Sequence, residues 1–289
     1  MASDKQRIFD WLYRSEFASG VLEFDELLIP AAENALGKSR FDAEGFAYKN
    51  RFKYWNWLLQ RLDLDKRRGL SPLFVVRDQS ARRVSWYPRY FSKESTAKEK
   101  RKISMIRARP SIVRKIDLLT DRQYEALGCV ISHLAGADRV LLTPRGNEGG
   151  IDFFASIILP GTLHVFSGKH GPLRVVGQCK KYDSKVGIEK IREFAQTLTQ
   201  VKNQNPTVEK HVPAWFRAAY GPVVGWMIAH KGFQSGSESM AKNHGILWSD
   251  SLDLAEVAAI SRRLNGSESS RSRAELLQNA VQEILKKFE

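Results

Sequence analysis

The sequence predicts an α/β chain: a mixed sheet flanked by helices in the C-terminal part, preceded by a mainly helical, winged-helix-like unit. Two observations carry this. Beyond residue 118 the apolar pattern runs helix, three strands, helix, strand, which needs helices on both faces of one sheet. Before residue 91, helical spacing gives way to two short strand-like runs around a turn. With 289 residues, 43% of them apolar, the chain can bury cores for two modest domains.

The N-terminal unit is expected over residues 1–91. From Ala43 to Leu62, Phe52, Trp55, Leu59 and Leu62 recur at helical spacing and are expected inward, while Lys49, Lys53, Asn56 and Gln60 form an adjacent stripe of cations and amides. Leu73–Arg77 and Arg83–Tyr87 read as strands around Asp78-Gln79-Ser80-Ala81. In a winged helix the last helix enters the major groove and the hairpin touches backbone, so Lys49, Lys53, Arg82 and Arg83 are candidate DNA contacts. Trp86, Arg89 and Tyr90 extend a basic and aromatic interleaving suited to phosphate and stacking, although Trp86 is equally a core residue. Residues 92–110, with seven Lys or Arg against Glu94 and Glu99, read as a basic linker.

Residues 111–264 form the α/β domain. Thr120-Asp121-Arg122-Gln123 has the form of a capping box, opening a helix that buries Tyr124, Leu127, Ile131 and Leu134. Strands are expected at Arg139–Thr143, Ile151–Ile158 and Leu173–Tyr182. A helix over Gly187–Val201 turns Ile188, Ile191, Phe194, Leu198 and Val201 inward. Pro222–His230 reads as a strand from the interior of a sheet. A helix at Ser235–Asn243, a strand at Ile246–Trp248 and a helix at Leu252–Leu264 complete the domain. Over residues 265–289, a loose stretch leads to a helix whose stripe of Leu276, Leu277, Ala280, Val281, Ile284, Leu285 and Phe288 needs a partner surface: its own domain, a second subunit or another protein.

The formal charge is +14, and residues 1–110 hold 23 basic against 14 acidic residues. Such a surplus fits a polyanionic partner, nucleic acid first. Asp4, Lys5, Arg7 and Asp10 stand where a leader would need apolar residues, so the reading is cytoplasmic with no membrane segment. Cys129 and Cys179 have neither metal-ligand nor disulfide-framework spacing.

Chemistry concentrates on two strands. Asp152 follows a loop containing Gly146, Gly149 and Gly150, whose glycines allow sharp turns. Gln178 and Lys180 share one strand face while Cys179 points to the other. Burying a Gln and a Lys together on a strand is costly unless something polar lies opposite, and Asp152 on the neighbouring strand is that partner. The set suits metal-assisted phosphodiester hydrolysis: oxygen ligands for a hard cation and an ammonium beside the phosphate.

At Tyr124-Glu125, Gly149-Gly150-Ile151-Asp152, Gln178-Cys179-Lys180 and Gly232-Phe233 the sequence resembles the Mrr-like restriction endonucleases of the PD-(D/E)XK superfamily, in the branch where Gln replaces the second acid. The resemblance covers roughly Leu118–Leu264. It implies a restriction-endonuclease-like fold, Asp152 as metal ligand, Gln178 as ligand or orienting group, the Cys179 main-chain carbonyl as a further ligand, Lys180 as the catalytic lysine and Glu125 as a helix-borne acid at the site edge. Glu148 is an alternative to Glu125. Lys181 and Lys185 suit phosphate contact. The implied cofactor is Mg²⁺, with Mn²⁺ accepted by the same oxygens, and the implied partner is double-stranded DNA, foreign or modified. The segment from Asp152 to Gln178, punctuated by Pro160, Gly161, Gly168 and Gly171, is longer than the family's usual hairpin. The alternatives are a repair, recombination or RNA-directed nuclease, and a vestigial DNA-binding or assembly protein.

Overall fold

The computed structural model describes residues 3–146, 149–159, 171–264 and 270–288. The chain divides into two compact units: Met1–Arg114 with Glu268–Arg271, and Lys115–Ser267 with Ser272–Glu289.

The first unit runs α1 (Asp4–Arg14), β1 (Leu22–Glu23), α2 (Phe24–Leu36), α3 (Arg40–Arg67), β2 (Phe74–Asp78), β3 (Arg83–Trp86), α4 (Ala97–Ile106) and α5 (Arg109–Asp117), the last crossing into the second unit. Its antiparallel sheet has the order β1-β3-β2. Helix, strand, helix, helix, strand, strand is the order of a winged helix. Tyr13 donates to Asp65, which also accepts from Arg61 Nε at 3.0 Å, tying α1 to α3 inside the unit.

Two expectations fail here. In α3 the inward residues are Ala43, Ala47, Tyr54, Trp55 and Leu58, whereas Leu59 and Leu62 are half-buried and Phe52 is exposed. The alanines allow close approach to another helix, so the buried face is set by small residues that a search for large apolar ones passes over. The second failure is the linker. Residues 97–106 form α4, opened by a Thr96/Glu99 capping box, and α5 starts at Arg109. Ile103, Ile106, Ala108, Ile112, Val113 and Ile116 are all buried. Two arginines counted as tether cations hold main chain: Arg107 Nε donates to Pro88 O at 3.1 Å and buried Arg109 Nη1 to Ser71 O at 2.7 Å.

The second unit contains α6 (Asp121–Ala135), β4 (Arg139–Leu142), β5 (Phe153–Ile157), β6 (Leu173–Lys180), α7 (Ile188–Lys202), α8 (Pro206–Glu209), α9 (Ala214–Arg217), β7 (Val223–Ala229), α10 (Ser235–Asn243), β8 (Ile246–Asp250), α11 (Ser251–Ile260) and α12 (Ser270–Phe288). The sheet order is β4-β5-β6-β7-β8, antiparallel from β4 to β6 and parallel from β6 to β8. This is the expected mixed sheet, with β6 at its centre. Helix α6 starts at its Thr120/Gln123 capping box, and all four apolar residues assigned to its inner face are buried. Val176 of β6, Phe154 of β5 and Met227 of β7 pack with Ile191, Phe194 and Leu198 of α7 in one core.

The apolar stripe of α12 is covered only in part: Leu277, Val281 and Leu285 are buried, whereas Leu276, Ala280, Ile284 and Phe288 are half-buried, and Arg273 Nη2 donates to Ser261 O at 2.6 Å. A chain ending at Leu264 should lose several buried side chains, each worth about 1.5–3 kcal/mol, and its thermal midpoint should fall by at least about 10 °C in calorimetry. An unchanged midpoint would contradict the docking. Among the described residues no helix is long and apolar enough to cross a membrane.

Candidate active site

Three strands build the site. Asp152 immediately precedes β5, and its backbone N–H donates to Gly177 O at 2.9 Å, which sets it across from Gln178 on β6. One Asp152 carboxylate oxygen, Oδ2, accepts from the Cys179 N–H at 2.5 Å. Thr143, just after β4, closes the third side: its Oγ1 shares its one proton between Ile151 O at 2.8 Å and Asp152 O at 2.9 Å. The buried Thr143 carbonyl accepts from Arg122 Nη2 of α6 at 2.8 Å, linking helix to strand at the site.

Gln178 is only 5% exposed. Its Nε2 donates to Gly150 O at 2.5 Å, while its Oε1 is buried without a hydrogen-bond partner among the described residues. A buried amide oxygen left without a partner costs about 1–3 kcal/mol unless a ligand or a water meets it. Gly150 is required for this contact. It has φ +80°, and a Cβ there would sit 2.8 Å from Gln178 Nε2. Gly149 (φ +67°) is held from α7, where Thr197 Oγ1 donates to its carbonyl at 2.8 Å. Neither Thr143 nor Thr197 was found from the sequence. A lone threonine carries no spacing signal.

Lys180 ends β6 half-buried, on the Gln178 face, and its carbonyl accepts the His230 N–H at 2.9 Å. Buried His230, for which the sequence offered no role, places Nε2 3.4 Å from Asp117 Oδ1 and Nδ1 2.9 Å from Ser251 Oγ. Lys181 Nζ donates to Asp117 O at 3.2 Å, and Lys185 is exposed.

Glu125 lies in the first half of α6, 2.8 Å from Arg122 Nη1. Its charge, like that of Asp152, reaches both cysteines. Burial above all pushes the Cys179 and Cys129 thiols up, with Asp152 and Glu125 adding to the shift. Both thiols therefore stay protonated and are unfit as nucleophiles. Among the described residues no three His, Cys, Asp or Glu side chains form a metal cluster. The oxygens that meet here are mixed in kind: a carboxylate, an amide and main chain. Glu148, Pro160, Gly161 and Gly168 lie outside the described residues, as does most of the loose stretch before α12.

In the first unit Lys49 and Lys53 are exposed on α3. Arg83 is half-exposed and reaches Glu23 at 3.2 Å. Arg82, by contrast, is committed to Asp25 through two bonds of 2.8 and 2.6 Å, and this hydrogen bonding raises its pKa further. Its expected phosphate contact is replaced by a tie between the hairpin and α2. Trp86 is core, and Arg89 and Arg77 lie over the Trp86 and Tyr90 rings at 5.7 and 4.7 Å.

The capped α6 and the mixed sheet β4-β5-β6-β7-β8 make a restriction-endonuclease-like α/β domain. Residues 116–258 match the Mrr_cat restriction endonuclease family, and this part of the chain belongs to it. Similar solved structures include MspJI restriction endonuclease in complex with a 27-mer oligonucleotide (15% identity, TM-score 0.36, 68% of this chain and 43% of that one). AspBHI, a DNA modification-dependent restriction endonuclease, is 13% identical with TM-score 0.36, over 70% and 45% of the two chains. FokI is 9% identical with TM-score 0.35, over 88% and 43%. The chain thus spans less than half the length of each. No curated protein matches it.

Proposed function

We propose that this chain is a metal-dependent endonuclease that hydrolyses phosphodiester bonds of double-stranded DNA, in restriction of foreign or modified DNA in the cytoplasm. One observation carries the site: the Oε1 of Gln178, buried without a partner among the described residues, on the strand opposite Asp152. The Asp152 carboxylate, that Oε1 and the Cys179 main-chain carbonyl would hold the cation. An all-oxygen set suits Mg²⁺, with Mn²⁺ accepted. When bound, such an ion lowers the pKa of a coordinated water and offsets phosphate charge.

The remaining residues have separate tasks. Lys180 brings its ammonium to the phosphate from the face shared with Gln178. Glu125 stands at the edge, its orientation fixed by Arg122. Lys181 and Lys185 meet the DNA backbone near the cut, and Lys49, Lys53 and Arg83 supply sequence-independent affinity from the winged-helix unit over residues 1–91. Cutting both strands calls for two sites of opposed polarity.

The test is incubation of purified chain with plasmid, modified phage DNA and RNA, in Mg²⁺ or EDTA. Cleavage of duplex DNA in Mg²⁺ and none in EDTA is expected. Cleavage of RNA alone, cutting in EDTA, or no cutting of any substrate overturns the proposal.

A further inference from the structure

Helix α3 carries a ridge that the sequence reading placed in the core or left unassigned. Phe41, Tyr48 and Phe52 are 85, 74 and 60% exposed, and spacings of seven and four residues keep them on one helix face. Three exposed aromatics in line mark an interaction surface. The charge around them identifies the partner. Around Tyr48 and Phe52, from Gly45 to Leu62, there is no Asp or Glu, while Lys49, Arg51 and Lys53 fall within that stretch. Such a face repels cations and attracts a polyanion.

The rings are also held in a particular way. The Arg51 guanidinium lies 4.0 Å from the Tyr48 centroid and 5.1 Å from that of Phe52, and Arg82 lies 4.7 Å from Phe52. Arg51 is fixed by its bond to Tyr48 O at 2.9 Å, and Arg82 by its double bond to Asp25. With two guanidiniums against Phe52 and one against Tyr48, the ridge is a poorer platform for stacked single-strand bases, which need open faces. What remains available is apolar ring edge. A duplex major groove accepts a helix and offers one apolar feature to such an edge, the C5-methyl of thymine.

Resting on the reading that the partner is DNA, we infer that α3 enters the major groove with Tyr48 and Phe52 against thymine methyls. Lys49 and Lys53, exposed on the flank, meet the adjoining phosphates. The cations then supply affinity and the ridge supplies base preference, the reverse of a helix read through its amide and lysine stripe.

The test is fluorescence anisotropy of the full chain in EDTA on an A·T-rich duplex and on the same duplex with uracil for thymine. Each methyl removed should weaken wild-type binding about fourfold. Tyr48→Ser with Phe52→Ser should erase the difference and leave the salt slope intact, and Phe52→Leu alone should keep most of it. Lys49→Gln with Lys53→Gln should flatten the slope by about two units and keep the thymine preference. Equal wild-type affinity for both duplexes overturns the inference. So does a gain from 5-methylcytosine without any thymine effect, or a ridge variant that changes oligomeric mass in light scattering and binds both duplexes as wild type does. Because binding is read without metal, a chain that prefers thymine yet never cuts refutes the nuclease proposal and leaves this one standing.

Discussion

Asp152→Ala and Lys180→Ala should each reduce DNA cleavage by at least about 10³-fold, with anisotropy in EDTA changed less than about twofold. Asp152 has one task visible in the structure and one proposed: its Oδ2 fixes the Cys179 N–H, and its carboxylate, on the residue opposite Gln178, would share the cation with the buried Gln178 oxygen. Alanine removes both and leaves a second buried group, the Cys179 N–H, unpaired. Lys180 is a simpler case, since it ends its strand and its carbonyl is anchored independently by His230. Its loss should lower kcat with little change in KM. Gln178→Ala should be severe, whereas Gln178→Glu should keep measurable activity, because a carboxylate oxygen occupies the same ligand position. Glu125→Ala should be milder, since Arg122 also donates to Thr143 O and so remains anchored. Full activity of purified Asp152→Ala or Lys180→Ala refutes the assignment.

The site was legible where chemistry and periodicity coincide. Polar side chains at 178 and 180 on an apolar strand stand out because they violate the pattern, and Thr120–Gln123 marks a helix start that the structure reproduces. What escaped were features whose signal is a partner distant in sequence. Thr143, Thr197 and His230 act through backbone carbonyls or buried side chains far along the chain. The segment 92–110 escaped for a different reason: its cations mask Ile103 and Ile106, and arginines that read as solvated hold carbonyls instead. Phe52 was misplaced because size was taken as a sign of burial. The surface of α3 uses large rings outward and alanines inward.

Gly177→Ala should destabilise the second unit by about 1–3 kcal/mol or more, lowering its thermal midpoint by several degrees. Gly177 lies opposite Phe153 in the β5/β6 ladder, and a Cβ there would come within 2.0 Å of the Phe153 ring. The ring has no retreat. On its other side a Cβ at Gly128 of α6 would lie 2.4 Å from it, and the Trp226 ring stands edge-on at 5.8 Å. Phe153 is thus wedged between two glycines, and it directly follows Asp152 just as Gly177 directly precedes Gln178. Strain at this pair should therefore reach the site by shifting the two strands that carry it, lowering kcat more than KM. Phe153→Leu should rescue Gly177→Ala in part, although alone it leaves a cavity and costs stability. A double-mutant cycle followed by calorimetry should show a favourable coupling of 1 kcal/mol or more. Simple additivity, or a Gly177→Ala chain that melts with wild type, would mean that the glycine is not what seats Phe153 and with it Asp152.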